Sequence, residues 1–248
     1  MIKGGKTTLD IFRKDGVWDA KRVELHNKII RDYFKQEKSS SNTVFMLGGA
    51  PANGKSTLTN SGSLPHPKKG LVIDADKIKS MIPEYDQMLK SNNKSLVKGA
   101  ANFVHEESSY LSKRIREKAL KEKWATVIDG VNDGNSEKIH SNAELLRKLS
   151  GNKKIRADYV TLDTDLSVKL AEQRFKSTGR GVPIDVVIKN NKEISRAFPE
   201  IIKNKTFDEL YLWDTNQNNN PRLILEQKNG VLKIHNKELY ERFLKKAN

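Results

Sequence analysis

Cysteine is absent from all 248 residues. That excludes disulfides, thiolate metal sites and cysteine nucleophiles, and it is compatible with a reducing compartment. No apolar run approaches the roughly 18 residues that a membrane-spanning helix needs, so none is expected. The opening "MIKGGKTTLDIF" has no apolar signal core, so export by a cleaved signal is not expected and a cytoplasmic setting is. Acidic residues are scarce beside basic ones, 31 against 46, leaving a net charge of +15. Such a balance points to polyanions: nucleotides, nucleic acid or an acidic protein. Yet lysine outnumbers arginine 34 to 12 and is spread along the chain. That reads as a solvated surface more than a recognition stripe, and nucleic acid is not the expected partner.

What is present alternates. Residues 19–37 place Val23, Ile29, Ile30, Tyr33 and Phe34 near helical spacing. A polar joint at 39–42 precedes the apolar strand "TVFML". Further strands are read at 70–76, 124–129, 155–163 and 209–215, with helices over 95–122, 136–150, 164–177 and 184–198 between them. "RLILEQKNGVLKIH" reads as a hairpin about Asn229-Gly230, and residues 237–247 as a closing helix. The expected fold is α/β, a mainly parallel sheet flanked by helices, of the P-loop NTPase or kinase kind. One domain is expected, with an N-terminal helical extension (1–42), a core (43–215) and a C-terminal hairpin and helix (216–248).

The core opens on "GGAPANGKST". Gly49, Gly54, Lys55 and Ser56 satisfy G-x-x-x-x-G-K-[ST] between a strand and a helix, the context in which that pattern cradles phosphates. The loop Gly49, Ala50, Pro51, Ala52, Asn53, Gly54, with Lys55, Ser56 and Thr57, is therefore expected to bind ATP. Lys55 would reach the β- and γ-phosphates, and the Ser56 hydroxyl would join a Mg²⁺ shell. Ligands in such sheets sit beyond the carboxyl ends of the strands, where Asp74, Asp76, Asp129 and Asp163 all fall. Asp76 is the expected general base. Asp74, on the same side of an expected strand, is a backbone acceptor beside the substrate. Asp129 supports Mg²⁺ through water or holds an acceptor sugar; both roles suit it. Arg174 and Arg180, around a Gly-flanked break, suit a clamp on a transferring phosphate.

Together these segments resemble the zeta toxin family, UDP-N-acetylglucosamine kinases. "DGVWDAKRVELHNKII", "GGAPANGKST", "VIDADKIK", "FVHEESSYLSKRI", "VIDGVNDG", "RFKSTGRGVP", "ISRAFPE" and "LYLWDT" follow in the family's order. The resemblance implies that Lys55 and Ser56 bind ATP-Mg²⁺, that Asp76 is the catalytic base, and that Arg174 and Arg180 embrace the transferring phosphate. It implies phosphorylation of a UDP-activated amino sugar at its 3′-hydroxyl, toxicity by draining a cell-wall precursor, and an antitoxin partner, expected to be acidic. Asp129 stands where some members have a glutamate that contacts the amino sugar, and Val131 where some have threonine.

Other polar residues carry less. His105, Glu106, Glu107, Ser108 and Ser109 share a helical stretch but lack H-E-x-x-H spacing. Glu107 and Ser108 are expected either to touch substrate or to make contacts along the helix face. Arg196 suits a salt bridge or a phosphate contact equally. A nucleic-acid 5′-hydroxyl kinase would use the same loop, base and arginines. A nucleotide-binding regulator without catalysis would need neither Asp76 nor the arginines.

Overall fold

The computed structural model describes residues 6–67, 69–130, 134–178, 182–217 and 220–248. Its centre is a seven-stranded sheet in the order β4-β5-β3-β6-β7-β8-β9. The strands are β3 (Thr43–Gly48), β4 (Leu71–Asp74), β5 (Thr126–Asp129), β6 (Lys154–Thr161), β7 (Glu209–Asp214), β8 (Arg222–Lys228) and β9 (Val231–Ile234). The first five run parallel, and β8 and β9 add antiparallel. Asn229 and Gly230 both have positive φ, 52° and 77°, as a two-residue type I′ hairpin requires. A separate two-stranded ribbon, β1 (Arg13–Lys14) with β2 (Val17–Trp18), follows the short helix α1 (Thr8–Phe12).

Val44 and Met46 on β3, Ile155, Ala157 and Tyr159 on β6, and Leu210 and Leu212 on β7 point to one face. There they meet α8 (Ser136–Ser150), α10 (Ile184–Lys203) and α11 (Lys237–Lys245). A second cluster joins β4 to α2 (Ala20–Tyr33), α4 (Ala75–Ser80), α5 (Pro83–Leu89), α6 (Lys94–Phe103) and α7 (His105–Lys121). No described helix is long and apolar enough to cross a membrane.

Three element boundaries differ from the sequence reading. The strand at 70–76 stops at Asp74, because the Asp74 side chain caps α4 by accepting from the Asp76 N–H at 2.8 Å. Asp76 therefore stands on the first turn of a helix, and strand alternation with Asp74 does not apply. The helix over 95–122 is two helices that break at Val104, with φ −106° and ψ 4°. Val104 is fully buried, and the Thr8 hydroxyl of α1 reaches the Phe103 carbonyl. The helix at 184–198 continues to Lys203 through Pro199.

A further difference concerns Glu107 and Ser108, which do not face substrate space. Glu107 is fully buried and accepts from Arg22 Nε and Nη2, both at 2.6 Å, with His26 Nε2 also 2.6 Å away. Arg22 forks onward to Glu84 at 2.7 and 3.0 Å. Ser108, equally buried, donates to the His105 carbonyl at 2.8 Å. Burial would raise the Glu107 carboxyl, but hydrogen bonds from His26 and Arg22 outweigh it and hold the group at about 2. A folded-state value depressed from 4.5 contributes stability that is complete above about pH 4.5 and is lost as pH falls toward 2. Glu107→Ala takes two hydrogen bonds and the more buried carboxylate from the Arg22 guanidinium and should cost about 3–5 kcal/mol in urea unfolding at pH 7. The gap between variant and wild type should narrow as pH falls through that window. A gap that stayed constant to pH 2.5 would show that the ion pair does not carry the difference.

Candidate active site

β3 leads across β5 to β4, whereas its other neighbour, β6, leads away to β7, so a crevice opens beyond the carboxyl ends of β3 and β6. The phosphate-loop sequence fills that place. Gly49, Ala52 and Gly54 take positive φ of 130°, 63° and 82°. A Cβ at Gly49 would lie 2.7 Å from the Val160 carbonyl oxygen, and one at Gly54 would lie 3.0 Å from Thr215 Oγ1. Helix α3 (Lys55–Asn60) starts directly after the loop with no side-chain cap on its first turn. Lys55 Nζ bends back to donate to the Gly49 carbonyl at 3.2 Å.

A cavity of about 560 Å³ sits over this loop. Gly49, Pro51, Ala52, Asn53, Gly54, Lys55 and Ser56 contribute to its wall, as do Asp74, Asp76, Asp129 and Arg174. Residues 55, 76, 129 and 174, far apart in sequence, thus share one cleft. Ala50 and Thr57 are not in that wall; Ala50 is wholly buried in the main core, so only its backbone is free to serve a ligand. Arg180 and Val131 lie outside the described residues.

Asp76 Oδ2 accepts from Arg174 Nη2 at 2.7 Å, and its Oδ1 accepts from Lys79 Nζ at 3.2 Å. Burial pushes the Asp76 carboxyl up, but Lys79 and Arg174 together pull it below the usual carboxylate range, so it is charged at neutral pH. Asp129 goes the other way. Burial raises it, Lys55 opposes, and Asp74 and Asp76 add to the rise. Asp129 Oδ1 is buried and has no hydrogen-bond partner among the described residues. A buried carboxylate oxygen in that state is costly unless something else takes it up. A cation with oxygen preference, in a cleft that also holds the Ser56 hydroxyl, fits the donors present.

Tyr33 fixes Asp74 from behind: its hydroxyl accepts from the Asp74 N–H at 3.1 Å and lies 3.4 Å from the Asp74 carbonyl. Asp163 is elsewhere, paired with Arg242. Arg196 donates to the Ala247 carbonyl at 2.8 Å, neither a salt bridge nor a cleft contact. No group of three or more His, Cys, Asp or Glu among the described residues is placed to hold a metal ion. The cleft residues that the sequence reading did not assign to the site include Lys79 and Leu170. Lys79 had a usable signal, since it is three residues beyond Asp76 on one helix face. Leu170 had none.

An α/β sheet with a phosphate loop at its switch point and a carboxylate-arginine pair opposite defines a P-loop kinase-like protein. The Zeta toxin family model matches residues 27–229, and the chain belongs to that family. Two zeta toxins, from Streptococcus agalactiae and Enterococcus hirae, are 31% and 30% identical over 90 residues. Those stretches cover 36% of this chain and only 30% of each relative. A crystal structure of the AvrRxo1-ORF1:AvrRxo1-ORF2 complex with sulphate ions is similar over 97% of this chain and 82% of its own, with TM-score 0.75 and 19% identity. The same complex with ATP gives 0.70 at 18% identity, over the same shares of both chains. The PezAT toxin-antitoxin system of Streptococcus pneumoniae gives 0.61 at 13%, over 85% of this chain and 83% of that one. At these identities the likeness shows the fold.

Gly49→Ala forces a side chain onto a strand backbone at a left-handed φ, which should cost about 1–3 kcal/mol. ATP should raise the wild-type melting temperature, as a ligand of the native state does. It should barely move that of Gly49→Ala or Lys55→Ala. An undiminished ATP shift in Lys55→Ala would place the nucleotide elsewhere.

Proposed function

We propose that this protein transfers the γ-phosphoryl group of ATP to the 3′-hydroxyl of a UDP-activated amino sugar, UDP-N-acetylglucosamine, and acts as the toxin of a toxin-antitoxin pair. The convergence of Lys55, Asp76 and Arg174 on one cleft carries this reading. Binding alone would need neither a carboxylate nor an arginine facing the phosphate loop.

In the proposed reaction Asp76 accepts the proton of the sugar hydroxyl as its oxygen bonds to the γ-phosphorus. The bond from that phosphorus to the β,γ-bridging oxygen breaks, and ADP leaves with the electron pair. Lys55 and Arg174 stabilise the charge that spreads over the transferring oxygens, where a guanidinium fork matches phosphate geometry. Arg180 is proposed to share this task. Mg²⁺ bound to the phosphates would neutralise the developing charge, with Ser56 and Asp129 as the residues that hold it. Asp129 serves equally well as the contact to the acceptor sugar. The amino-sugar acceptor rests on membership of the family and the order of its motifs.

An antitoxin partner is supported by the complexes among the similar structures and by the net charge of +15, which favours an acidic surface.

Incubation with ATP-Mg²⁺ and a panel of UDP-sugars and 5′-hydroxyl oligonucleotides should label UDP-N-acetylglucosamine. Label on the oligonucleotides would favour a nucleic-acid kinase. Asp76→Asn should keep ATP binding and lose about 10² to 10⁴ in transfer rate, the span of general-base catalysis. Undiminished transfer by Asp76→Asn would remove Asp76 as the base.

A further inference from the structure

Asn53 occupies the last variable position of the phosphate loop, yet its side chain does not belong to the phosphate. It is 2% exposed. Its Nδ2 donates to Asn191 Oδ1 at 2.9 Å, and its Oδ1 accepts from Ser167 Oγ at 2.7 Å. Asn191 Nδ2 donates to the Val187 carbonyl at 3.0 Å and stands 3.5 Å from Asn53 Oδ1. The Asn53 carbonyl accepts from Thr215 Oγ1 at 2.7 Å. Ser167, Asn191 and Thr215 are all buried. One loop residue is thereby tied to α9 (Thr164–Thr178), to α10 and to the chain leaving β7.

The tie to α9 has a consequence for chemistry. Ser167 and Arg174 are seven residues apart on that helix, two turns at 3.6 residues each, so they share a face about 10 Å apart. Holding Ser167 on the loop fixes the height and rotation at which Arg174 stands over the same loop. We infer that Asn53 and Asn191 are positioning residues that set the arginine-bearing helix against the phosphate loop. A buried polar knot that merely supported the loop would fix ATP affinity. This one spans the donors on both sides of the transferred phosphate, so its loss shows in turnover.

The inference rests on the proposed role of Arg174, and a double-mutant cycle separates the two. The readout is kcat and KM for ATP, with γ-phosphate followed to the acceptor and to water, in wild type, Asn191→Ala, Arg174→Ala and the double variant. Misplacement of a catalytic group by about 1 Å costs on the order of 10² in rate. Asn191→Ala should therefore lower kcat about 10- to 100-fold and move KM for ATP less than about threefold. In the Arg174→Ala background the same change should have almost no further effect on kcat, since coupled residues are not additive. Multiplicative losses in both backgrounds, or a loss confined to KM, would overturn the inference and leave the proposed reaction standing. No effect of Arg174→Ala on kcat would overturn the arginine's role, and the inference with it. Ser167→Ala deletes a single hydroxyl from the knot. It enters the same cycle should Asn191→Ala melt below the assay temperature, and the same two outcomes decide.

Discussion

The cleft depends on how closely the chain leaving β3 lies against β6. Parallel pairing sets Gly48 opposite Tyr159, and a Cβ on Gly48 would meet that ring at 2.5 Å. Gly49 lies on the Val160 backbone in the same way. Glycine there gives up conformational entropy worth roughly 0.5–1 kcal/mol relative to alanine in a regular element. What it permits is a turn tight enough to bring Lys55 back to the Gly49 carbonyl, around a hollow rimmed by backbone. Any bulkier turn would push α3 outward and carry Lys55 and Ser56 away from Asp129.

The cleft is also balanced in charge. Lys55, Lys79 and Arg174 face Asp74, Asp76 and Asp129. Asp76 and Arg174 pair at 2.7 Å, and Lys79 takes the other Asp76 oxygen. Asp129 has no ion pair among the described residues, though Lys55 acts on it at longer range. Its raised carboxyl and its unpaired Oδ1 make it the member of the set that gains most from a cation.

Much of this architecture was legible because it is local. The phosphate loop carries its own strand and helix context, α8 carries Asn135 as its cap and Gly151 with φ 70° as its terminator, and Asn229-Gly230 sets the hairpin. What was not legible is what distant contacts decide. Helix α4 is the local exception, since its cap, Asp74, ends an apolar run that reads as strand. At the break before Val104 the Phe103 carbonyl is met by Thr8, nearly a hundred residues upstream. Glu107 reads as a substrate ligand or a helix-face contact because its partners come from residues 22 and 26. Asn53 reads as one more loop residue because its three partners lie 114 to 162 positions away. No periodicity encodes such meetings.

The N-terminal arm shows how those distant contacts bear on the site. A buried arginine with two carboxylates is a poor way to gain stability, since apolar replacements of such clusters are often neutral or better. Its geometry is what differs from an apolar patch. The Arg22 fork engages Glu107 through two donors and Glu84 through two more, so α2 meets α5 and α7 at a fixed rotation. Trp18 and Tyr110 close around His26 at 4.8 and 5.5 Å between ring centres, and shield the cluster from water. His105, two residues before Glu107, lines the cleft; Tyr33, at the other end of α2, grips the Asp74 backbone just before Asp76. The arm thus holds two pieces of cleft wall that no strand of the sheet connects. Its ion cluster trades stability for angle, and the angle is what the side of the cleft opposite the phosphate loop requires.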